Sequence, residues 1–194
     1  TAGLEYNRDN LKDDMWGYNR YTRQTVNIGS AFFQNEWKNE KWSILLGGRL
    51  DKHNLINHVI FSPRANLRFN PTQDVNLRLS YSSGFRAPQA FDEDLHIENV
   101  GGTVSMIERA KNLKEEKSQS FSASADMYHR FGAFQVNFLV EGFYTKLSDV
   151  FVLENIGVRD GILIKERRNG SGAKVLGLSM EGKMAYLSLF QLQA

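Results

Sequence analysis

From Val75 the chain reads Val75-Asn76-Leu77-Arg78-Leu79-Ser80-Tyr81-Ser82, apolar at every odd position and polar at every even one. Side chains of a strand point to alternate faces, so this spacing predicts a strand with one apolar face rather than a helix. The preceding Arg64-Ala65-Asn66-Leu67-Arg68-Phe69-Asn70 alternates in the same way, and Pro71-Thr72-Gln73-Asp74 between them has the composition of a turn. Together they read as a hairpin. The pattern recurs around Trp42, Ile44, Leu46 and Leu50, around Phe121, Ala123, Ala125 and Met127, around Phe134, Val136, Phe138 and Val140, and around Leu176, Leu178, Met180 and Met184. A similar run opens at Val26 and Ile28, and its phase slips at Phe32-Phe33, which predicts a bulge.

This reading gives an antiparallel up-and-down meander of about eight strands. They lie near 1–9, 25–38, 41–53, 58–70, 75–86, 117–131, 133–156 and 162–187. The connections Asn39-Glu40, Pro71 to Asp74 and Gly132 are short, residues 54–57 and 157–161 are moderate, and 10–24 and 87–116 are long. Within the last of these, Ser105 to Lys117 predicts a short polar helix.

Alternation alone does not separate a soluble sandwich from a membrane barrel: the apolar face is a core in one and meets lipid in the other. Strand length and charge favour the barrel. Several runs reach or exceed the roughly 9–11 residues that cross a bilayer, and the polar face carries Arg49, Asp51, Arg64, Arg68, Arg78, Asp126, Glu141, Glu181 and Lys183. Aromatics gather at the short turns, with Trp37 and Trp42 about one, Phe131 and Phe134 about another and Phe69 before the third, as in one girdle of a barrel. The mean hydropathy of −0.43 and the lack of a long apolar run exclude membrane helices but not membrane strands.

Composition removes other classes. With 0 Cys there is no disulfide framework, thiol nucleophile or cysteine-held metal. A net charge of +2 lacks the basic footprint of a nucleic-acid binder. No serine has a histidine at informative spacing, and Gly101-Gly102 has no phosphate-loop context, so no enzymatic site emerges. Thr1-Ala2-Gly3-Leu4 is not a signal peptide, so a mature protein or a piece of a longer one is expected. Asp9, Asn10, Asp13 and Asp14 make an oxygen-rich segment suited to calcium, though a solvated acidic loop is the plainer reading. His53 and His58 read as solvated loop residues before they read as a metal pair. Lys165, Arg167 and Arg168, interrupted by Glu166, read as a solvated strand face before an anion site. Asn169-Gly170-Ser171 matches a glycosylation acceptor but more simply marks a bend.

An ordered set of segments resembles successive barrel blocks of TonB-dependent outer-membrane receptors. They are Phe33-Gln34-Asn35-Glu36-Trp37-Lys38, Gly47-Gly48-Arg49-Leu50-Asp51, Ser62-Pro63-Arg64-Ala65-Asn66-Leu67-Arg68, Ser82-Ser83-Gly84-Phe85-Arg86-Ala87-Pro88 and the stretch Asn169 to Gly182. The Gly-Phe-Arg-Ala-Pro block is the most specific. The nearest branch is the ferric-siderophore and cobalamin type, and Gln89 to His96 resembles its Bacteroidetes version. The resemblance implies an all-β fragment of a transmembrane barrel over 1–194, without the plug that closes such barrels. It implies outer-membrane lipid, the TonB complex (through the missing plug) and a small nutrient, siderophore or cobalamin, as partners. It also implies a Gram-negative outer-membrane location, and transport rather than catalysis. On that reading Phe91, Asp92, Asp94 and His96 are the candidate ligand contacts, and calcium in the loops would be held by Asp9, Asp13 and Asp14. A soluble carbohydrate-binding or adhesive β-sandwich is the alternative, with a small closed barrel as a further rival. A fragment of this kind would leave two sheet edges open.

Overall fold

The computed structural model describes residues 1–96, 98–100, 103–187 and 189–193. Its main body is a nine-stranded antiparallel sheet. The strands are β1 (Ala2–Met15), β2 (Arg20–Lys38), β3 (Trp42–His53), β4 (Val59–Thr72), β5 (Val75–Arg86), β8 (Glu116–Phe131), β9 (Phe134–Ser148), β12 (Ala173–Tyr186) and β13 (Phe190–Gln193). Each pairs with its neighbour in chain order, apart from two excursions. Those excursions contribute the one-turn helix α1 (Asp92–Leu95), β6 (Glu98–Val100), β7 (Thr103–Arg109), β10 (Phe151–Arg159) and β11 (Ile162–Asn169). The four strands form a second sheet in the order β10-β11-β7-β6.

The register makes the faces explicit. Trp42 lies opposite Phe69, Phe69 opposite Leu77, Leu79 opposite Ala123, and Tyr144 opposite Leu176, so the apolar residues of successive strands fall on one face. The other face carries the polar partners, including Arg68 opposite Arg78, Ser80 opposite Ser122 and Ser124 opposite Glu141. We call the apolar face outward and the polar face inward. The outward face has nothing packed over it: Phe33 and Phe61 are each 60% exposed and Leu176 is 75% exposed. Among the described residues the buried hydrophobics are only Val26, Ile56, Ile60, Ala87, Ile107 and Ile164. A sandwich would bury the apolar face under a second sheet, and none lies there.

The two- and three-residue connections of the nine-stranded sheet fall at one end. There Trp42 stacks on Phe69 at 4.0 Å, Phe131 faces Phe134 across a turn at Gly132, and Phe134 packs against Tyr186 at 4.7 Å. Gly132 takes φ +59, the left-handed conformation that glycine adopts without a steric penalty. The aromatics expected at the short turns thus gather at this end in two groups, with Val75 and Leu77 of β5 between them. No pairing joins β1 to β13 among the described residues, so the sheet is open, unlike a small closed barrel.

Several sequence expectations are corrected. Residues 10–24 are not a loop: β1 and β2 run on to Met15 and Arg20, joined by a 3-10 turn at Trp16–Tyr18. Here both faces are polar, so the hydrophobic alternation disappears while the ladder continues. The expected bulge at Phe32-Phe33 is absent, since β2 pairs without a register shift on both sides. Instead Val26 and Ile28 turn inward, where Val26 is buried and Ile28 lies opposite the buried His53. The expected strands 133–156 and 162–187 each divide in two, broken at Asp149, which has φ 54, and at residues 170–172. A Cβ at Gly172 would stand 2.4 Å from the Leu147 carbonyl oxygen, so glycine alone lets the chain re-enter the wall there. Residues 103–109 are strand β7, not helix. Thr103, Val104 and Ile107 are β-branched and favour a strand, and β11 offers a parallel partner from Leu163–Ser105 to Arg167–Arg109.

Candidate functional site

The two excursions fold onto the long-connection end of the wall as a loop layer. A cluster of cationic and aromatic side chains holds them there. Asp94, 6% exposed, accepts two hydrogen bonds at Oδ1 from Arg167, from Nε at 2.9 Å and Nη2 at 2.7 Å. Its Oδ2 accepts from the Phe91 amide at 3.0 Å, fixing the start of α1. Arg20, at the base of β2, donates to the backbone oxygens of Asp94 (3.0 Å) and Leu95 (2.5 Å) and pairs with Asp13 at 3.2 Å. The Arg86 guanidinium, last in β5, lies 3.8 Å from the centre of the Phe91 ring, and Phe151 is 5.8 Å from that ring. Glu116 accepts from the Phe151 amide at 2.8 Å. The buried charges of Asp94 and Arg167 are tolerated because they are paired and hydrogen-bonded to each other.

A second stitch joins the excursions at their bases. Asn169 donates to the Lys114 and Asp149 carbonyls and accepts from the Lys114 amide at 2.8 Å. The glycosylation-like asparagine is thus committed to the backbone. Glu115 pairs with Lys117 at 2.9 Å and lies 3.1 Å from His58. Burial alone would raise the Glu115 carboxyl, but the hydrogen bond from Lys117, a backbone bond and the charges of Lys117 and His58 hold it below the ordinary carboxylate range. Arg168 pairs with Glu166 and Glu154, which raise its already high pKa, the hydrogen bond to Glu166 most.

Between the β1–β2 tip, α1, β7 and β11 lies a cavity of about 510 Å³, with Tyr18, Arg20, Asp94, Glu108, Arg109 and Arg159 on its wall. A second, of about 600 Å³, is lined by Lys111, Lys114, Asp149, Glu166, Arg168 and Asn169. Both present cationic and anionic groups to one space. That suits a polar, multiply charged ligand.

The candidate residues separate on this framework. Phe91 and Asp94 meet in the cluster, turned into the layer. Asp92 opens α1, and its side chain lies outside the described residues. His96 follows α1 with an exposed imidazole. Asp9 and Asp13 face inward while Asp14, the next residue, faces outward, where it pairs with Arg23 and Lys12. Asn10 accepts from Thr25 instead, at 2.9 Å. Among the described residues no three acidic or histidine side chains converge on a point where a cation would sit. His53 is not a solvated loop residue: it is 0% exposed, and its Nδ1 accepts from the Leu55 amide at 3.0 Å. Arg167 is likewise buried rather than solvated. The sequence reading missed Arg20 and Phe151, and it took Arg86 only as part of the Gly-Phe-Arg-Ala-Pro block. The one available signal was an arginine closing an alternating strand just before a long connection.

An open sheet with one bare apolar face, an aromatic collar at its short-turn end and a folded loop layer at the other is a section of a transmembrane β-barrel wall. The chain matches the family described as TonB dependent receptor-like, beta-barrel, over residues 1–193, and belongs to it. Among solved structures it is similar to the siderophore receptor PirA from Pseudomonas aeruginosa. That match has 17% identity and a TM-score of 0.79, covering 100% of this chain and 39% of that one. A variant of the ferric enterobactin receptor PfeA from the same organism, in complex with enterobactin, matches at 17% identity and a TM-score of 0.71, covering 94% and 30%. A double mutant of the Serratia marcescens hemophore receptor HasR, in complex with its hemophore HasA and heme, matches at 14% identity and a TM-score of 0.69, covering 95% and 36%. The chain thus spans well under half of the receptors it matches. No curated protein sequence matches it. No helix among the described residues is long and apolar enough to cross a membrane, which says nothing about strands.

Proposed function

We propose that this chain is part of the barrel of an outer-membrane receptor that captures a ferric siderophore or a similarly scarce nutrient and imports it with energy relayed by TonB. The observation that carries the proposal is the division of the sheet along its length. A bare apolar band with an aromatic collar suits lipid, and the structured layer beyond it encloses charged cavities suited to a polar ligand. Family membership and the likeness to siderophore receptors support the same reading. The paired cations and anions of the loop cavities fit a ligand that presents both acceptor oxygens and donors. The protein chemistry is recognition and gated passage.

The test uses the full-length receptor in the outer membrane of a strain lacking other receptors. Radio-iron-loaded enterobactin, haem and cyanocobalamin serve as probes, with and without an intact TonB. Accumulation of one probe that is lost on TonB removal supports the proposal. If none of the three binds or accumulates, the nutrient classes named here are excluded.

A further inference from the structure

Residues 87–90 leave β5 and run as a strap over the loop-end of the wall to β2. Ala87 packs with Ile56 and Ile60 in a small apolar core. The Ala90 amide donates to the Gln24 side chain at 2.8 Å, and Arg20 holds the chain beyond through the Asp94 and Leu95 carbonyls. His53 closes β3 opposite Ile28, past Leu50, the last apolar outward residue of that strand. It is fully buried, and Gln89 of the strap comes near its ring.

The ring is held in its neutral form. Nδ1 accepts from the Leu55 amide at 3.0 Å, so the single proton sits on Nε2. Among the described residues that buried Nε2 meets no acceptor in hydrogen-bond geometry, Gln89 included. A second proton would have to sit on Nδ1, facing the Leu55 N–H. Protonation therefore breaks the Leu55 bond, leaves buried donors unsatisfied and sets a charge among apolar groups.

The neighbouring charges do not compensate. On β3 itself Asp51 favours the protonated ring but is engaged by Arg49 at 2.8 Å and Ser30 at 2.6 Å, while the Lys52 amine donates to the Ile56 carbonyl at 3.0 Å. β2 presents Val26 and Ile28, and β4 presents Ile60. His58 of the intervening turn lies 3.1 Å from Glu115, and Arg86 at the root of the strap lies on the Phe91 ring. Burial outweighs the pull of Gln89 and Asp51 and holds the imidazole below the ordinary histidine value.

We propose that His53 is an acid-operated latch on this strap: neutral, it lets residues 87–90 lie down on the wall and so keeps Ala90, Asp94 and Leu95 at the 510 Å³ cavity, and protonated, it releases them. A histidine depressed in the folded state stabilises fully above its unfolded value of about 6.5, and that stability is lost as pH falls below it. The cavity is then fully formed at neutral pH and loosened in mild acid. The latch belongs to this chain's own fold and is independent of what the receptor carries.

The test follows hydrogen exchange, corrected for its intrinsic pH dependence, from pH 7.5 to 5.0 in the full-length receptor in bilayers. Protection of the Gln89, Ala90 and Phe91 amides should fall about tenfold or more below pH 6.5, one proton giving at most about tenfold per pH unit. β4 and residues 110–117 should stay flat. His53→Asn keeps an acceptor for the amide two residues on and takes up no proton, so it should abolish the fall, as should His53→Gln. His58→Gln and His96→Gln should retain it. A flat profile in the unmodified receptor, a fall that survives both His53 variants, or a fall abolished by His58→Gln or His96→Gln would overturn the latch. Should both His53 variants leave the strap unprotected at pH 7.5, exchange of the His53 C2 hydrogen in the unmodified receptor decides: a midpoint below about 6.5 is expected, and one at or above that value overturns the proposal. Uptake of a nutrient probe is scored separately, so its loss or retention bears on transport and not on the latch.

Discussion

The wall and the loop layer solve opposite problems. In the wall the ladder satisfies the backbone of the interior strands from β2 to β9, and the outward side chains are left bare. In the loop layer the strands are short, and order comes from specific polar contacts: Arg167 on Asp94, Arg86 on Phe91, Asn169 on the backbone at Lys114 and Asp149. The wall depends on its surroundings, because a face of that size is stable only against lipid. The layer is held by its own polar contacts and by Arg20 and Arg86 at the ends of two wall strands. Substitutions should therefore separate the two regions by effect and by readout.

The largest effect is expected at the buried pair. Asp94→Asn breaks the buried ion pair with Arg167, a change that costs about 3–5 kcal/mol. Hydrogen exchange should rise sharply across α1, β7 and β11 while β3, β4 and β5 stay protected. Equal loosening of the wall would show that the regions are not separable. Next is Leu79→Arg, which sets a charge in the middle of the outward face and should cost about 2–4 kcal/mol. Ser179→Arg, on the inward face, should cost far less. Denaturant titrations of the receptor in bilayers compare the two, and similar midpoints would mean that the outward face is not in lipid. Arg86→Ala removes the guanidinium from the Phe91 ring and should weaken the layer by roughly 0.5–2 kcal/mol, read as increased proteolysis within residues 87–116 with the wall intact.

The smallest effect is a pH dependence at Glu115. Its carboxyl is held below the ordinary range, so the stability it contributes is complete above the unfolded value and is lost as pH falls through the folded one. Amide protection near residues 110–117 should be flat from pH 7 to 5 and fall below about pH 4. Glu115→Gln should remove that dependence, and an unchanged profile in this variant would assign the acid sensitivity to another group.

The same contrast explains what the sequence revealed. Outward residues such as Leu77, Leu79 and Tyr81 alternate because lipid and lumen impose opposite chemistry on adjacent positions, so period two declared the wall. Beyond the apolar band that pressure ends. In Asp13, Asp14, Arg20 and Arg23 both faces are polar, and strands continued where the sequence suggested a loop. β7 joins β11 across more than fifty residues in a parallel pair, a contact that no local pattern encodes. Asp94 was picked out as an acidic loop residue. Its burial on Arg167 depends on two excursions meeting, and the identities of the two residues do not announce it.

The most direct test of the account is the sidedness of the wall. The chain has 0 Cys, so single cysteines at positions 79, 178, 80 and 179 accept nitroxide labels cleanly in the receptor reconstituted in bilayers, provided the rest of the receptor offers no competing thiol. Positions 79 and 178 should be relaxed strongly by oxygen, which concentrates in lipid, and positions 80 and 179 by a water-soluble nickel chelate or by neither reagent. Equal oxygen access at all four, or nickel access at 79 and 178, would contradict the assignment of the outward face to the membrane.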